Sequence, residues 1–140
     1  MALPGVQGLH HIALICSDYQ VAKRFYVELL GGTVIAETYR AARQSYKLDI
    51  GFPGFELELF TFPAAPARPS TPEAQGLRHL AIRVVDLDAA IAYLQQHQVV
   101  VEPVRVDELT GNRFTFFPDP DGLPLELVEL VECLSEHDRR

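Results

Sequence analysis

The sequence lacks an excess of basic residues, since 12 lysines and arginines stand against 19 aspartates and glutamates, giving a formal net charge of -7. Such a chain repels a phosphate backbone, so nucleic acid is not an expected partner. No apolar run approaches the roughly 20 residues that a membrane-spanning helix needs. The opening MALPGVQG has neither the basic nor the apolar region of a signal peptide. These absences predict a cytoplasmic protein that does not contact membranes.

Cysteine is also scarce. Cys16 stands in an apolar run and Cys133 in a polar tail. Two cysteines so placed have neither the spacing of a metal knuckle nor the density of a secreted disulfide scaffold. Both are expected to be reduced and to have no chemical role.

What the chain does contain is an internal repeat. The stretch GLHHIAL, residues 8–14, returns as GLRHLAI at residues 76–82, which is an offset of 68 residues. The same offset, without a gap, places FELELF (55–60) on LPLELV (123–128). One shift therefore aligns His11 with His79 and a pair of glutamates with each other.

Hydrophobic periodicity in each copy predicts a strand, a helix and three further strands. The fold class is therefore α+β, with two βαβββ modules, and 140 residues favour one domain. The predicted segments are module 1 at about 8–62, a proline-rich extended linker at 63–76, module 2 at about 77–131 and a polar tail at 132–140. The predicted strands are 9–16, 33–39, 44–51, 55–62, 77–85, 99–106, 113–118 and 123–130, with helices from about 19 to 30 and from 87 to 97.

Strand alternation predicts which residues share a face. Leucines flank Glu58 and Glu126 in their strands, so both carboxylates should face away from the leucine-lined side of the sheet. His11 and His79 share their face with small alanines, which leaves space beside each imidazole. If the modules bring these four residues together, two imidazoles and two carboxylates form a site suited to Ni, Zn, Co, Mn or Fe(II). Four ligands leave room for two displaceable waters on an octahedral metal.

Other residues near this pattern remain alternatives. Glu56 shares the predicted face of Glu58 and could replace it as a ligand, although the repeat aligns Glu56 with Pro124. His10 should point to the opposite face from His11, as a structural residue or as a neighbour of the ligand. The DPDG turn at 119–122 has the chemistry of a tight turn and is expected to set the register of Glu126.

The chain resembles the vicinal oxygen chelate superfamily, and within it the small bacterial glyoxalase I (lactoylglutathione lyase)-like and bleomycin resistance proteins. The stretches that carry the resemblance are HHIALICSDYQVAKRFYVELLG, ELFTF, GLRHLAIRVVDLDAA and FFPDPDGLPLELVE, within residues 8–130. The resemblance implies that the two modules form a curved, cup-like mixed sheet around one divalent metal, with Ni or Zn expected first and Co, Mn or Fe as alternatives. The family's ligands fall on His11, Glu58, His79 and Glu126. It also implies a homodimer in which both chains complete the cup.

A His/Glu/His/Glu set is similar to that of glyoxalase I, which isomerises the hemithioacetal of an α-keto aldehyde and a thiol to a thioester. The chemistry implied is abstraction of a proton beside a carbonyl, with Glu126 as the first candidate for the base and Glu58 as the second. Other activities of the superfamily, as an epimerase or a dioxygenase, are alternatives. A non-catalytic protein that binds a small molecule is the alternative from another class.

An acidic protein that binds an anionic substrate needs local cations. Four basic residues lie on or beside the second and third strands of the modules, and they are candidates for substrate binding as well as for plain solvated surface: Arg40, Arg43, Lys47 and Arg113.

Overall fold

Two four-stranded mixed sheets, one in each half of the chain, form the framework of the protein in a computed structural model that describes residues 1–131. The predicted tail at 132–140, with Cys133, lies outside the described residues. The chain divides into two compact units, Met1–Ala67 and a second unit that begins at Arg68. Each unit has the order strand, helix and three strands. The predicted α+β class and the βαβββ pattern are confirmed.

The first unit comprises β1 (Ile12–Ile15), α1 (Tyr19–Lys23), a π-helical segment (Arg24–Leu29), β2 (Thr33–Arg40), a 3-10 turn (Ala41–Arg43), β3 (Ser45–Phe52) and β4 (Phe55–Phe60). Its sheet has the order β1-β4-β3-β2, with β1 and β4 parallel and the other pairs antiparallel. This topology places the first strand directly beside the last, so residues from the two ends of the unit become neighbours.

The second unit comprises β5 (Leu80–Arg83), α2 (Leu87–Gln96), β6 (Arg105–Val106), β7 (Arg113–Pro118) and β8 (Pro124–Glu129). Its sheet repeats the topology, with the order β5-β8-β7-β6 and a parallel β5–β8 pair. The two parallel registers are equivalent, because Ala13 pairs with Glu58 and Ala81 pairs with Glu126.

The core of each unit lies on the leucine side of its sheet, as alternation predicts. Leu57 and Leu59 are buried on β4, and Leu125 and Leu127 are buried on β8. Burial of such side chains contributes roughly 1.5–3 kcal/mol each, which fixes the register because a slip of one residue would turn them to water. The glutamates between the leucines are thereby held on the opposite face.

Several predicted boundaries are wrong. The first strand of each unit is shorter than predicted, so both histidines precede their strands. The helix predicted to reach residue 30 changes at Arg24 to a π-helical segment, in which Leu30 N–H donates to Phe25 O. Within residues 1–131, only Arg105–Val106 of the strand predicted at 99–106 forms a strand, paired with β7, although Glu102 N–H also donates to Phe116 O at 3.0 Å. Pro103 within this stretch has no N–H to donate.

The proline-rich stretch also differs from a simple extended linker. From Arg68 onward it is held against the second unit, because Arg68 donates from Nη2 to the carbonyls of Leu77 and Arg78. Ser70 Oγ donates to Gly122 O at 2.8 Å, which ties the stretch to the DPDG turn. The residues after Ala67 therefore form a wall of the second unit.

Candidate functional site

In the first unit the structure brings His11 and Glu58 into contact. Nε2 of His11 lies 2.5 Å from Oε2 of Glu58. The parallel pairing of β1 with β4 sets this contact, since Ala13 pairs with Glu58 and its small side chain leaves the carboxylate room. Only 12% of the Glu58 side chain is exposed, so the carboxylate is largely shielded from water. Glu58 rather than Glu56 is the carboxylate that meets His11.

His10 contacts the second nitrogen of the His11 ring. The two Nδ1 atoms are 2.8 Å apart, which requires one ring to donate and the other to accept. When Nε2 of His11 carries the proton, it donates to Glu58 and Nδ1 accepts from His10. Binding of a metal at Nε2 would require the other tautomer, in which Nδ1 donates to His10. A partner on the second ring nitrogen is the usual companion of a histidine that binds a metal. His10 precedes β1, so the alternation used to predict its direction does not apply to it.

Two charged residues of β3 lie beside Glu58. Lys47 Nζ lies 2.8 Å from Oε1 of Glu58 and 2.9 Å from Oδ1 of Asp49. The hydrogen bonds to Glu58 and then to Asp49 raise the pKa of Lys47. The Glu58 carboxylate is therefore held from both sides, by an imidazole and by an ammonium group.

The second unit has the equivalent pair. Nε2 of His79 lies 2.9 Å from Oε2 of Glu126, and 16% of the Glu126 side chain is exposed. Nδ1 of His79 is buried and has no hydrogen-bond partner among the described residues. An unpaired buried nitrogen costs roughly 1–3 kcal/mol, so this position requires a partner from outside residues 1–131, such as water or a bound molecule.

The two glutamates differ in their neighbours. Antiparallel pairing places Asp49 opposite Glu58, whereas it places Phe116 opposite Glu126. The Phe116 ring meets the His79 ring edge-on, with centroids 5.1 Å apart. The surroundings of Glu58 are thus charged, and those of Glu126 are aromatic.

The donor chemistry of each pair fits a divalent metal. Two ligands at adjacent corners of an octahedron, each about 2.1 Å from the metal, are about 3 Å apart. The 2.9 Å contact between imidazole nitrogen and carboxylate oxygen in the second unit is close to that separation, whereas the 2.5 Å contact in the first unit is shorter. Within residues 1–131 no three histidine, cysteine or acidic side chains gather into a single group. Each unit therefore holds two of the four residues that are predicted to be metal ligands.

Of the four cations predicted to bind substrate, two lie on the same face as Glu58. Lys47 contacts Glu58 directly. Arg40 pairs with Ser45, its Nη2 donating to the hydroxyl at 2.9 Å, and its guanidinium carbon lies 5.0 Å from the centre of the Phe60 ring. Its Nε is buried without a partner in the described chain.

The other two lie elsewhere. Arg43 is exposed on the 3-10 turn. Arg113 Nη2 donates to Asp88 of α2 at 2.8 Å. On β7, Thr115 is buried on the same side as Arg113, whereas Phe116 points to His79. Arg113 is therefore on the opposite face of the sheet from Glu126, and its position does not support the predicted contact with a substrate.

Arg105 is a residue that sequence analysis did not identify. Its guanidinium carbon lies 5.4 Å from the centre of the Phe114 ring and 5.5 Å from that of Phe116. The pairing of Arg105 with Phe114 across β6 and β7 creates this arrangement. The only sequence signal was its place in a predicted strand, which does not reveal the strand it pairs with.

No helix within residues 1–131 is long and apolar enough to cross a membrane.

Comparison with known proteins identifies the family. The model of the Glyoxalase/Bleomycin resistance protein/Dioxygenase superfamily matches residues 8–127. The uncharacterized protein YaeR of Escherichia coli (strain K12) is 56% identical over 126 residues, which are 89% of this chain and 98% of YaeR. The 2-epi-5-epi-valiolone epimerase of an Actinomyces species is 30% identical over 150 residues, covering 91% of this chain and 82% of the epimerase.

A solved structure agrees with these matches. The glyoxalase family protein from Enterococcus faecalis superposes with a TM-score of 0.83 at 50% identity, covering 88% of this chain and 98% of that chain. The resemblance to the vicinal oxygen chelate proteins is confirmed. The chain belongs to the glyoxalase/bleomycin resistance protein/dioxygenase superfamily.

Proposed function

We propose that the protein is a metal-dependent isomerase that moves a proton at a carbon beside a carbonyl. In this proposal His11, Glu58, His79 and Glu126 bind one divalent metal, with Ni or Zn expected first and Co, Mn or Fe as alternatives. The observation that carries the proposal is the repeated pair, because each unit holds one imidazole nitrogen within 2.9 Å of one shielded carboxylate oxygen. Packing alone does not require this pair to occur twice at equivalent registers.

The different roles that we assign to Glu58 and Glu126 follow from the residues beside each carboxylate. Glu58 is held by His11 and Lys47, which suits a carboxylate that stays in place. Among the described side chains, only His79 makes a polar contact with Glu126. Fewer partners leave Glu126 more able to turn toward a substrate, so we assign Glu126 as the base and Glu58 as its second candidate.

The metal, when bound, supplies a Lewis acid that stabilises the negative charge formed as the carbon loses its proton. The chain supplies the remaining functions. Phe116 lies opposite Glu126 on the neighbouring strand and shields one side of the carboxylate from water. The same carboxyl then returns the proton.

The first substrate class is the hemithioacetal formed by an α-keto aldehyde and a thiol such as glutathione. Glu126 removes the proton from the carbon that bears sulfur and returns it to the adjacent carbon, so the product is a 2-hydroxy thioester. No oxidant or co-reactant is needed, because the reaction is an internal transfer of two electrons and two protons, one from carbon to carbon and one from the hydroxyl to the carbonyl oxygen.

An epimerase is the second candidate, and the 30% identity to 2-epi-5-epi-valiolone epimerase favours it. An epimerase uses the same first step, removal of a proton beside a carbonyl, but a proton is then delivered to the opposite face of the same carbon by an acid on that side. Both candidates therefore need the same base and differ in the second half of the reaction.

Replacement of the base tests the proposal. Glu126→Gln keeps the size of the side chain and one neutral oxygen ligand but cannot accept a proton, so turnover should fall by roughly a hundredfold to ten-thousandfold while metal still binds. Glu58→Gln should lower the rate less. Glu56→Gln is the matched control, because Glu56 lies on the same strand and does not contact His11.

The measurements are metal content, thioester formation from methylglyoxal and glutathione, and exchange of the α-hydrogen of a panel of α-keto aldehyde adducts and hydroxyketones into deuterated solvent. Exchange without thioester formation favours the epimerase. A Glu126→Gln variant with full rate would remove Glu126 as the base. A metal-loaded parent protein without turnover or exchange would contradict the isomerase and favour a protein that only binds small molecules.

A further inference from the structure

The second unit contains a cavity of about 430 Å³ beside His79. A cavity of this size is typical of a site for a small molecule. Three arginines line it, Arg68, Arg78 and Arg105, against two acidic residues, Glu73 and Glu102. The cavity is therefore net positive in a chain whose formal charge is -7. The gathering of three arginines at one cavity of an acidic protein therefore indicates a specific role for them.

The hydrogen bonds of Arg68 give this residue a structural role. Its Nε donates to Ser70 Oγ at 2.8 Å, and its Nη2 donates to the Leu77 and Arg78 carbonyls. These bonds hold the stretch after Ala67 against the second unit and build one wall of the cavity. Arg68 has most of its donors engaged, so it shapes the cavity.

Arg105 is different because stacking fixes its position while its donors remain open. Its guanidinium lies over the Phe114 and Phe116 rings at 5.4 and 5.5 Å from the ring centres. Its one ion pair within the described residues, with Glu102, is long at 3.5 Å, and both side chains are more than half exposed. Such an exposed ion pair contributes little to stability, so the Arg105 guanidinium can leave Glu102 for a better acceptor.

Arg78 is the second available cation. Its Nη2 lies 2.9 Å from Oε1 of Glu73, but about 70% of both side chains is exposed. Arg78 directly precedes His79 in the chain, so its backbone is fixed next to the imidazole. Two weakly paired guanidinium groups thus line the same cavity as His79.

We propose that this cavity binds the anionic group of the substrate, a carboxylate or a phosphate, with Arg105 as the main contact and Arg78 as the second. A guanidinium fork matches the geometry of either anion. Because Phe116 contacts both the Arg105 guanidinium and the His79 ring, the anion is bound about one aromatic ring from the imidazole. The substrate is then a small molecule whose anionic group lies a few bonds from the reacting carbon.

The link to a substrate rests on the proposed function, but anion binding can be tested without metal or turnover. The full chain, labelled with 15N and freed of metal with a chelator, is titrated with inorganic phosphate and, separately, with malonate at constant ionic strength. Sodium chloride is the reference. We expect chemical-shift changes at residues 68–79, 102–105 and 116, and tighter binding of one or both anions than of chloride. The preferred anion identifies the substrate class.

Three variants assign the contact. Arg105→Gln should weaken binding of the preferred anion by roughly tenfold, as expected for loss of a charge-assisted hydrogen bond. Arg105→Lys keeps the charge but not the fork and should have an intermediate affinity. Arg24→Gln removes the same charge from an exposed residue of the first unit and should change the affinity by less than twofold.

Equal weakening by Arg105→Gln and Arg24→Gln would overturn the proposal, because it would show a general charge effect. So would shift changes that avoid the cavity residues. The isomerase assay is separate: turnover without anion binding overturns this inference alone, and anion binding without turnover or exchange overturns the proposed function alone.

Discussion

The side chain of Glu37 joins α1 to β2 through two partners. The Tyr19 hydroxyl donates to one carboxylate oxygen, and Lys23 Nζ lies 2.9 Å from the same oxygen. The hydrogen bond from Tyr19, and then that from Lys23, lower the pKa of Glu37. Burial, and then the hydrogen bond to Glu37, raise the pKa of Tyr19. The network therefore favours an ionised carboxylate beside a protonated phenol.

This network makes stability depend on pH in a defined direction. A carboxylate with a lowered pKa in the folded state stabilises the fold above its unfolded pKa of about 4.3, and the contribution is lost as pH falls through the folded pKa. Tyr19→Phe removes the main cause of the shift. The loss of unfolding free energy caused by Tyr19→Phe should be largest above about pH 5 and smaller near pH 3.

Urea denaturation across this pH range measures the effect. Tyr46→Phe is the control, since Tyr46 stacks on Tyr19 with ring centroids 4.2 Å apart. Its effect on stability should not vary between pH 3 and 5. A Tyr19→Phe effect that is constant with pH would show that the hydroxyl contributes by packing alone.

Single residues also show how far the sequence alone predicts the site. The repeat identified His11, Glu58, His79 and Glu126, and the structure brings them together as two pairs. The repeat could not show that Lys47 meets Glu58 while an aromatic ring lies beside Glu126. Those contacts depend on which residues of neighbouring strands face each other, and a periodic pattern within one strand does not contain that information.

Asp86 caps the helix α2 that lies over the second sheet. Its carboxylate accepts a hydrogen bond from Ala89 N–H at 3.0 Å, which satisfies one of the free donors at the start of the helix. Asp86→Ala should lower the free energy of unfolding by about 1 kcal/mol, whereas Asp86→Asn should retain most of it because Asn also caps well. Urea denaturation at neutral pH compares the two variants. Equal losses would contradict a capping role.

The secondary structure was largely predictable because helices and strands of different period leave distinct patterns. The boundaries were not. Residues 9–11 and 77–79 are apolar or β-compatible, but no strand of residues 1–131 pairs with them, so β1 and β5 begin later than predicted. The π-helical segment was hidden because Ala22 and Tyr26 are both buried, as they would be in a regular helix.

The chain carries the same histidine–glutamate pair twice, once in each unit, and this repetition requires an explanation. The sequence predicts that both pairs bind a single metal and that the protein is a homodimer, and both statements stay predictions. If each unit instead held its own ion, one histidine and one glutamate would provide two ligands, which is fewer than divalent metals in proteins usually have. One ion bound by both pairs would have four protein ligands, and this explains why the pair occurs in both units.

The most direct test of this account is the number of metal ions per chain in the parent protein and in variants of each pair, with the molecular mass of the same samples measured by light scattering. The account predicts one ion per chain in the parent. It predicts nearly complete loss in His11→Ala and equally in His79→Ala, whereas His10→Ala should keep one ion with roughly tenfold weaker affinity. Two ions per chain, or a variant of one pair that loses half of the metal and retains the rest, would contradict it.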